Sequence, residues 1–454
     1  MSSHLNKEDI ESFKVKAAST NRPTRFIGSA NSEKVRPKVD GLKSTHGSLS
    51  LSERLALARS RKGKPKRSAA MANQVPPEIV NDPELKAAMN QLPSNYDFQV
   101  PKTIWRLRQV KAKKVALQLP EGLLMFACIL ADIFEQIAGV EESIVMADVT
   151  YGACCVDDFS ARALGCDFMV HYGHSCLVPI DVTARAQQLE NRMPLKLMYV
   201  FVDIKIDVPH FVESVKLSFP DKATRLFVLG TIQFASSLHL AKKQLEEYYA
   251  SVDIPQAKPL SRGEVLGCTA PTLPKGESDI LLFLADGRFH MESAMIANPN
   301  LPAFRYNPYD KVLSQESYDA NEMKRIRYKN VVRAKEASRW GIIMGTLGRQ
   351  GNPAIVQRLE ALLRRHNRKY FVLLLSETFP SKLKLMDQTV DAWVQVSCPR
   401  LSIDWGESFS KPLLTPYELF VAFDEVEWKK AYPQDYYAKD SGPWTNYYKD
   451  APKV

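Results

Sequence analysis

The chain has no apolar run approaching the roughly 20 residues that cross a bilayer. Its opening stretch, MSSHLNKEDIESFKVK, holds no hydrophobic core of an export signal. A membrane-spanning or secreted protein is not expected. The expectation is a cytosolic chain, with nuclear access left open by one basic cluster, RKGKPKR. Cysteines number seven, odd and irregularly spaced, which argues against a disulfide framework and makes metal binding or catalysis the better use for any special cysteine. Neither CxxC nor CxxxCxxC occurs, so no local metal-binding loop is present. The glycine-rich stretch at 345–351 is followed by no Gly-Lys-Ser/Thr, and its spacing is not that of a dinucleotide fingerprint. Acidic balance is lacking in one place only: residues 1–70 carry sixteen Lys and Arg against six Asp and Glu, which is the whole of the net +10. The rest is near neutral, so no basic nucleic-acid face is expected on the folded body.

What is present is length and a recurring pattern. At 454 residues the chain exceeds one ordinary core, and about three domains is the prior. Residues 1–94 are rich in Ser, Lys, Arg, Pro and Asn and read as a disordered basic tail, with short helices at 51–59 and 81–92. From about 95 three units share one grammar: buried strand, loop, amphipathic helix. The strands are residues 114–119, 225–229 and 340–344, and their starts lie roughly 110–115 residues apart. Each unit has a later strand introduced by an acid, Asp167, Asp279 or Asp391. The fold class is α/β: three homologous α/β domains with parallel-type sheets around a pseudo-threefold axis, over 95–220, 221–335 and 336–426. Residues 427–454 form an aromatic C-terminal tail, expected to pack on the body rather than stack on RNA.

One cysteine per unit sits in a distinctive loop. Cys154 follows Tyr151-Gly152-Ala153, with Cys155 as its rival. Cys268 lies in Gly267-Cys268-Thr269-Ala270-Pro271. Cys398 lies in Ser397-Cys398-Pro399-Arg400, directly after a buried strand. Three thiolates from three like domains converging on one point would leave the fourth corner of a [4Fe–4S] cluster open to substrate. The plain alternative is three buried cysteines. Cys128 reads as helix core, and Cys166 and Cys176 as packing residues. His171 and His174 with Cys176 outline a zinc site only poorly, since residues 167–172 read as a buried strand. Two further loops stand at strand ends, where α/β sheets gather chemistry. In 345–352, Gly345, Gly348 and Gly351 permit close approach, Asn352 is an N-cap with Pro353 behind it, and Arg349 offers a fork to a carboxylate. In 286–292, Asp286, Arg288 and His290 concentrate an acid, a cation and a base; the plain alternative there is Asp286 as a helix cap.

Together YGACCVDDFSARALGCDFMVHYGHSC, GCTAP, DGRFHMES, GTLGRQGN and VSCPR resemble the diphthamide synthase family, over about 95–423. The resemblance implies three α/β domains each donating a cysteine, here Cys154, Cys268 and Cys398, to one [4Fe–4S] cluster whose fourth iron binds S-adenosylmethionine. It implies transfer of the 3-amino-3-carboxypropyl group to C2 of a histidine imidazole in translation elongation factor 2, by a non-adenosyl radical route. It also implies a related second subunit in a heterodimer, a small iron protein as electron donor, and no membrane or nucleic-acid substrate. Gly345, Gly348, Arg349, Gly351, Asn352, Asp286, Arg288 and His290 become candidates for holding the cofactor. A non-catalytic RNA- or ribosome-associated scaffold, resting on the basic tail and aromatic C-terminus, is the alternative from another class.

Overall fold

Two of the three acids that introduce the second central strands, Asp167 and Asp391, have a common task. Asp167 accepts hydrogen bonds from Lys113 N (3.0 Å) and Lys114 N (3.2 Å), at the start of the first strand of unit one. Asp391 does the same for Ser338 N (3.2 Å) and Arg339 N (2.9 Å) in unit three. Each carboxylate satisfies donors that a strand's first residues leave open, and so fixes two neighbouring strands at one end. The computed structural model describes residues 75–147, 156–173, 195–258, 260–274, 279–434, 442–445 and 448. Residues 1–74 of the basic tail, including the helix expected at 51–59, lie outside the described residues. The helix expected at 81–92 is Pro83–Met89, capped by Asp82. Its Leu85 and, beyond it, Leu92 are buried in the first core, so these residues already belong to the folded body.

Three sheets follow in chain order. Tyr96–Asp97 (β1) precedes Lys114–Gln118 (β2), Glu142–Met146 (β3), Phe168–Tyr172 (β4) and Lys196–Val200 (β5), which form a parallel sheet in the order β3-β2-β4-β5. Asp203–Ile204 (β6) closes antiparallel on β1. The second sheet holds Arg225–Gly230 (β7), Ser251–Asp253 (β8), Asp279–Leu284 (β9), Ala303–Asn307 (β10) and Val312–Glu316 (β11). Its order is β11-β10-β9-β7-β8, parallel except for β10 against β11. The third holds Arg339–Gly345 (β12), Lys369–Leu375 (β13), Ala392–Val396 (β14) and Leu413–Leu414 (β15), in the order β13-β12-β14-β15, all parallel. In every sheet the chain leaves the first central strand to one side and returns on the other. Each therefore has a switch point at β2/β4, β7/β9 or β12/β14, and a crevice beyond its C-terminal ends.

Helices cover these sheets for periodic reasons. Pro353–Arg365 buries Ile355, Val356, Leu359, Leu362 and Leu363, an i, i+4, i+7, i+8 stripe. Full burial of each such side chain stabilises by about 1.5–3 kcal/mol. The same periodicity corrects one expectation. Ala127–Gln136 turns Ala127, Leu130, Ile133 and Phe134 inward, which leaves Cys128 exposed rather than in the core. Cys166 is buried as expected, and burial raises its thiol pKa. Of the described C-terminal aromatics, three pack on one ring: Tyr417 lies 5.7 Å from Trp428, 5.7 Å from Tyr432 and 5.0 Å from Trp444. Tyr432 and Trp444 are buried, so neither offers a face for stacking on RNA.

Candidate functional site

The crevice beyond β12 and β14 is built by close approach. A Cβ on Gly345 would stand 2.5 Å from Cβ of Ser397, and one on Gly351 would stand 2.2 Å from the carbonyl oxygen of Gly345. Gly348 has φ +53°, in the left-handed region glycine adopts without strain. Asn352 Oδ1 accepts from Ala354 N at 2.8 Å with Pro353 behind it, as the sequence predicts. The loop thus folds down on the end of β14. A cavity of about 270 Å³ opens there, lined by Gly345, Leu347, Gln350, Ser397, Cys398 and Trp405 among others.

Cys398 is buried, and its turn is tied at several points. Its carbonyl accepts from Leu401 N and from Gln395 Nε2, both at 3.0 Å. Gln395 Oε1 accepts from Ser397 N at 2.9 Å and from Ser397 Oγ at 3.0 Å. Gln395 lies in a strand buried at every position; a polar residue there is retained only with partners. Sequence reasoning passed over it, although a lone Gln in the run AWVQV is the signal that could have found it.

Cys268 is placed by a different device. Gly230 N donates to Gly263 O (2.9 Å) and Val265 N to Gly230 O (3.0 Å), so the segment runs along the end of β7. Leu266 and Thr269 then exchange two backbone hydrogen bonds of 3.0 Å, with Gly267 and Cys268 at the tip. Ser293 Oγ donates to Leu266 O at 3.1 Å. Cys268 is buried in a cluster that includes Ile342, Ile355 and Val394 of unit three.

Cys154, Cys155, His174 and Cys176 lie outside the described residues. The chain resumes at Val156 beside the end of β2: Asp157 N donates to Gln118 Oε1 at 3.3 Å. Gln118 Oε1 also meets His171 Nδ1 at 2.8 Å, and the His171 ring meets Tyr199 edge-on. That is the role of a buried strand histidine. Among the described residues no three His, Cys, Asp or Glu side chains are grouped to hold a metal ion.

The arginines of the two candidate loops reach to other segments of the chain. Arg349 donates Nε and Nη2 to the two oxygens of Asp158, each at 2.7 Å. Its guanidinium also lies 4.5 Å from the Phe159 ring. Asp158 is buried and takes a second cation, Arg162, at 3.0 Å. Arg288 donates Nε to Glu292 at 2.9 Å and Nη2 to Ser317 O at 3.0 Å, and its Nη1 pairs with Glu316. Asp286 is exposed at the end of β9, and His290 is half-buried. The helix Met291–Ala297 starts at His290 without a side-chain cap, so Asp286 is not its cap. Glu292 pairs with Arg400 at 3.8 Å, and Arg400 Nη2 with Asp404 at 2.6 Å. Burial pushes Glu292 up to about 7 against the pull of Arg400 and Arg288. Glu292 and Asp158 were missed by sequence reasoning because each acts on a residue from another unit.

The thiols fit an iron–sulfur group in chemistry. Cys268 and Cys398 are buried and carried on tight turns at strand ends. Thiolate is the donor such clusters take. Residues 119–433 match the family model described as putative diphthamide synthesis protein. The chain is 56% identical over 376 residues to 2-(3-amino-3-carboxypropyl)histidine synthase subunit 1 of Homo sapiens, covering 83% of each. It is 55% identical over 390 residues to the protein of that name from Schizosaccharomyces pombe, covering 84% of this chain and 86% of the other. The crystal structure of Dph2 from Pyrococcus horikoshii with a 4Fe-4S cluster superposes with a TM-score of 0.58 at 26% identity, covering 75% of this chain and 93% of that one.

Proposed function

This chain belongs to the diphthamide synthesis protein family, and from that membership we propose that it is the catalytic subunit of a 2-(3-amino-3-carboxypropyl)histidine synthase, with Cys154, Cys268 and Cys398 holding a [4Fe–4S] cluster. The substrate is a histidine of translation elongation factor 2 and the donor is S-adenosylmethionine. A related second subunit and a small iron protein that supplies electrons complete the system. When bound, the cluster would supply the electron that breaks the sulfur–γ-carbon bond, with methylthioadenosine leaving and imidazole C2 exchanging its hydrogen, lost as a proton and an electron, for the 3-amino-3-carboxypropyl group.

The chain's own residues do the positioning. Gln395 fixes the turn that presents Cys398, and the Leu266–Thr269 pair fixes Cys268. The glycines of 345–351 let the loop backbone close on the same crevice. Leu347, Leu375, Phe379 and Trp405 line it with apolar surface that keeps water from a reactive group. Asn352 and Pro353 open a 13-residue helix whose N-terminal end favours an anion such as an amino-acid carboxylate. Asp286 and His290 stand beyond the matching end of β9, where they can meet the methionyl part.

The observation that carries the reading is Cys398 and the glycine loop sharing one cavity at the β12/β14 switch point. Anaerobic reconstitution followed by electron paramagnetic resonance of the reduced protein tests it. Wild type should be brown and give a reduced-cluster signal. Replacing Cys154, Cys268 or Cys398 with Ser should each abolish or convert that signal. A colourless, iron-free wild type overturns the reading.

A further inference from the structure

Two arginines of unit three, Arg349 and Arg400, each contact another unit at a residue close in sequence to a candidate cysteine or its turn. Arg349, in the loop that shares a cavity with Cys398, makes a two-pronged contact with Asp158. Asp158 is three residues beyond Cys155 and opens the helix Asp158–Ala163. Arg400, two residues beyond Cys398 and buried, lies against Glu292. Its guanidinium also sits 5.6 Å from the Phe289 ring. Glu292 adjoins Ser293, whose hydroxyl holds the Leu266 carbonyl at the base of the Cys268 turn. These are buried or nearly buried pairs: the Asp158 and Arg349 side chains are 1% and 14% exposed, and those of Glu292 and Arg400 are 5% and 1%.

We propose that the forked Asp158–Arg349 pair and the looser 3.8 Å Glu292–Arg400 contact are two inter-unit clamps that hold unit three against units one and two and so position the Cys398 and Cys268 turns for a shared cluster, building on the function proposed above. A desolvated ion pair is a poor source of net stability, because removing two charges from water costs about what their attraction returns. It is a good source of geometry, because a planar fork on a carboxylate fixes both distance and orientation. Groups behind a metal ligand set its aim in the same way. Three ligands from three domains need such fixing more than a local motif does, since no short loop sets their separation.

Full-length chain, reconstituted anaerobically, tests the clamps by iron retention against a chelator and by the line shape and midpoint potential of the reduced cluster. Asp158→Asn and Arg349→Leu should each weaken retention about 10-fold or more and alter the line shape; each also lowers the thermal midpoint, since it breaks a buried pair, so retention is compared well below that midpoint. The double variant should be no worse than either single one, as expected for residues acting as a pair. Arg349→Lys keeps the charge but loses the fork, and should fall between wild type and Arg349→Leu even where Asp158→Asn folds poorly. Glu292→Gln should reproduce the spectral change for the second clamp. Wild-type retention and line shape in Arg349→Leu and Arg349→Lys, or strictly additive losses in the double variant, overturn the proposal and leave the function standing. A wild type without a cluster removes the function itself, and the clamps' role with it.

Discussion

Gly345 and Ser397 approach so closely that a methyl on the first would stand 2.5 Å from Cβ of the second. The contact joins the end of β12 to the residue before Cys398, so it sets the width of the crevice. Gly345→Ala must push the Cys398 turn aside, at about 1–3 kcal/mol of stability. The double variant Gly345→Ala with Ser397→Gly removes the opposing Cβ and should recover most of that loss. Denaturant midpoints of the three proteins check it; a Gly345→Ala protein as stable as wild type contradicts the geometry.

Gln395 ties the Cys398 turn to the end of β14, and its loss should be felt there. Gln395→Leu keeps the volume, takes the acceptor from Ser397 N and removes one of the two donors to the Cys398 carbonyl, which keeps Leu401 N. Each buried group left unpaired costs about 1–3 kcal/mol, and cluster occupancy should fall as the turn loosens. Iron content per chain and urea unfolding measure the two effects separately.

Arg327 and Glu418, both fully buried, are joined by two hydrogen bonds of 2.7 and 2.6 Å. Arg327 also donates to Ser402 O and Leu413 O, and Tyr432 donates to Glu418. Burial would lower the guanidinium's pKa, but Glu418 outweighs it and holds it above its ordinary value. Arg327→Met leaves Glu418 buried and unpaired and should cost about 3–5 kcal/mol. Adding Glu418→Gln should return part of that, read as a shift in denaturant midpoint at constant slope.

Asp391 links pH to stability through one end of the third sheet. The Arg339 guanidinium, then the Arg339 and Ser338 backbone N–H groups, hold its carboxyl down from 3.8 to about 2 against partial burial. A folded-state value below the unfolded one means the folded protein binds the proton less readily. The stabilisation is therefore present above about pH 4 and is lost as pH falls toward about 2. Asp391→Asn should be less stable than wild type at neutral pH and converge on it in acid. A constant gap between the two at every pH contradicts the linkage.

Much of the fold is legible in the residues. Strands show as short apolar runs bounded by Gly and Asp, because a strand buried on both faces needs no alternation. The helix Pro353–Arg365 is announced by Asn352, Pro353 and an i, i+4 stripe, because capping and periodicity are local chemistry. The loops bearing Cys268 and Cys398 stand out for the same local reason. Cys128 was misplaced because a short apolar helix reads as buried all round, and one turn's rotation decides which side chain faces out.

The sequence by itself determined the three-unit α/β grammar, the caps and the loop positions of Cys268 and Cys398, since each depends on neighbours within a few residues. Only the tertiary structure decided that Arg349 faces Asp158, 191 residues away, and that Arg400 faces Glu292. Such pairs leave no period in the chain. They exist because packing three sheets together buries charges that must then find one another, and which charges meet is a property of the packed sheets.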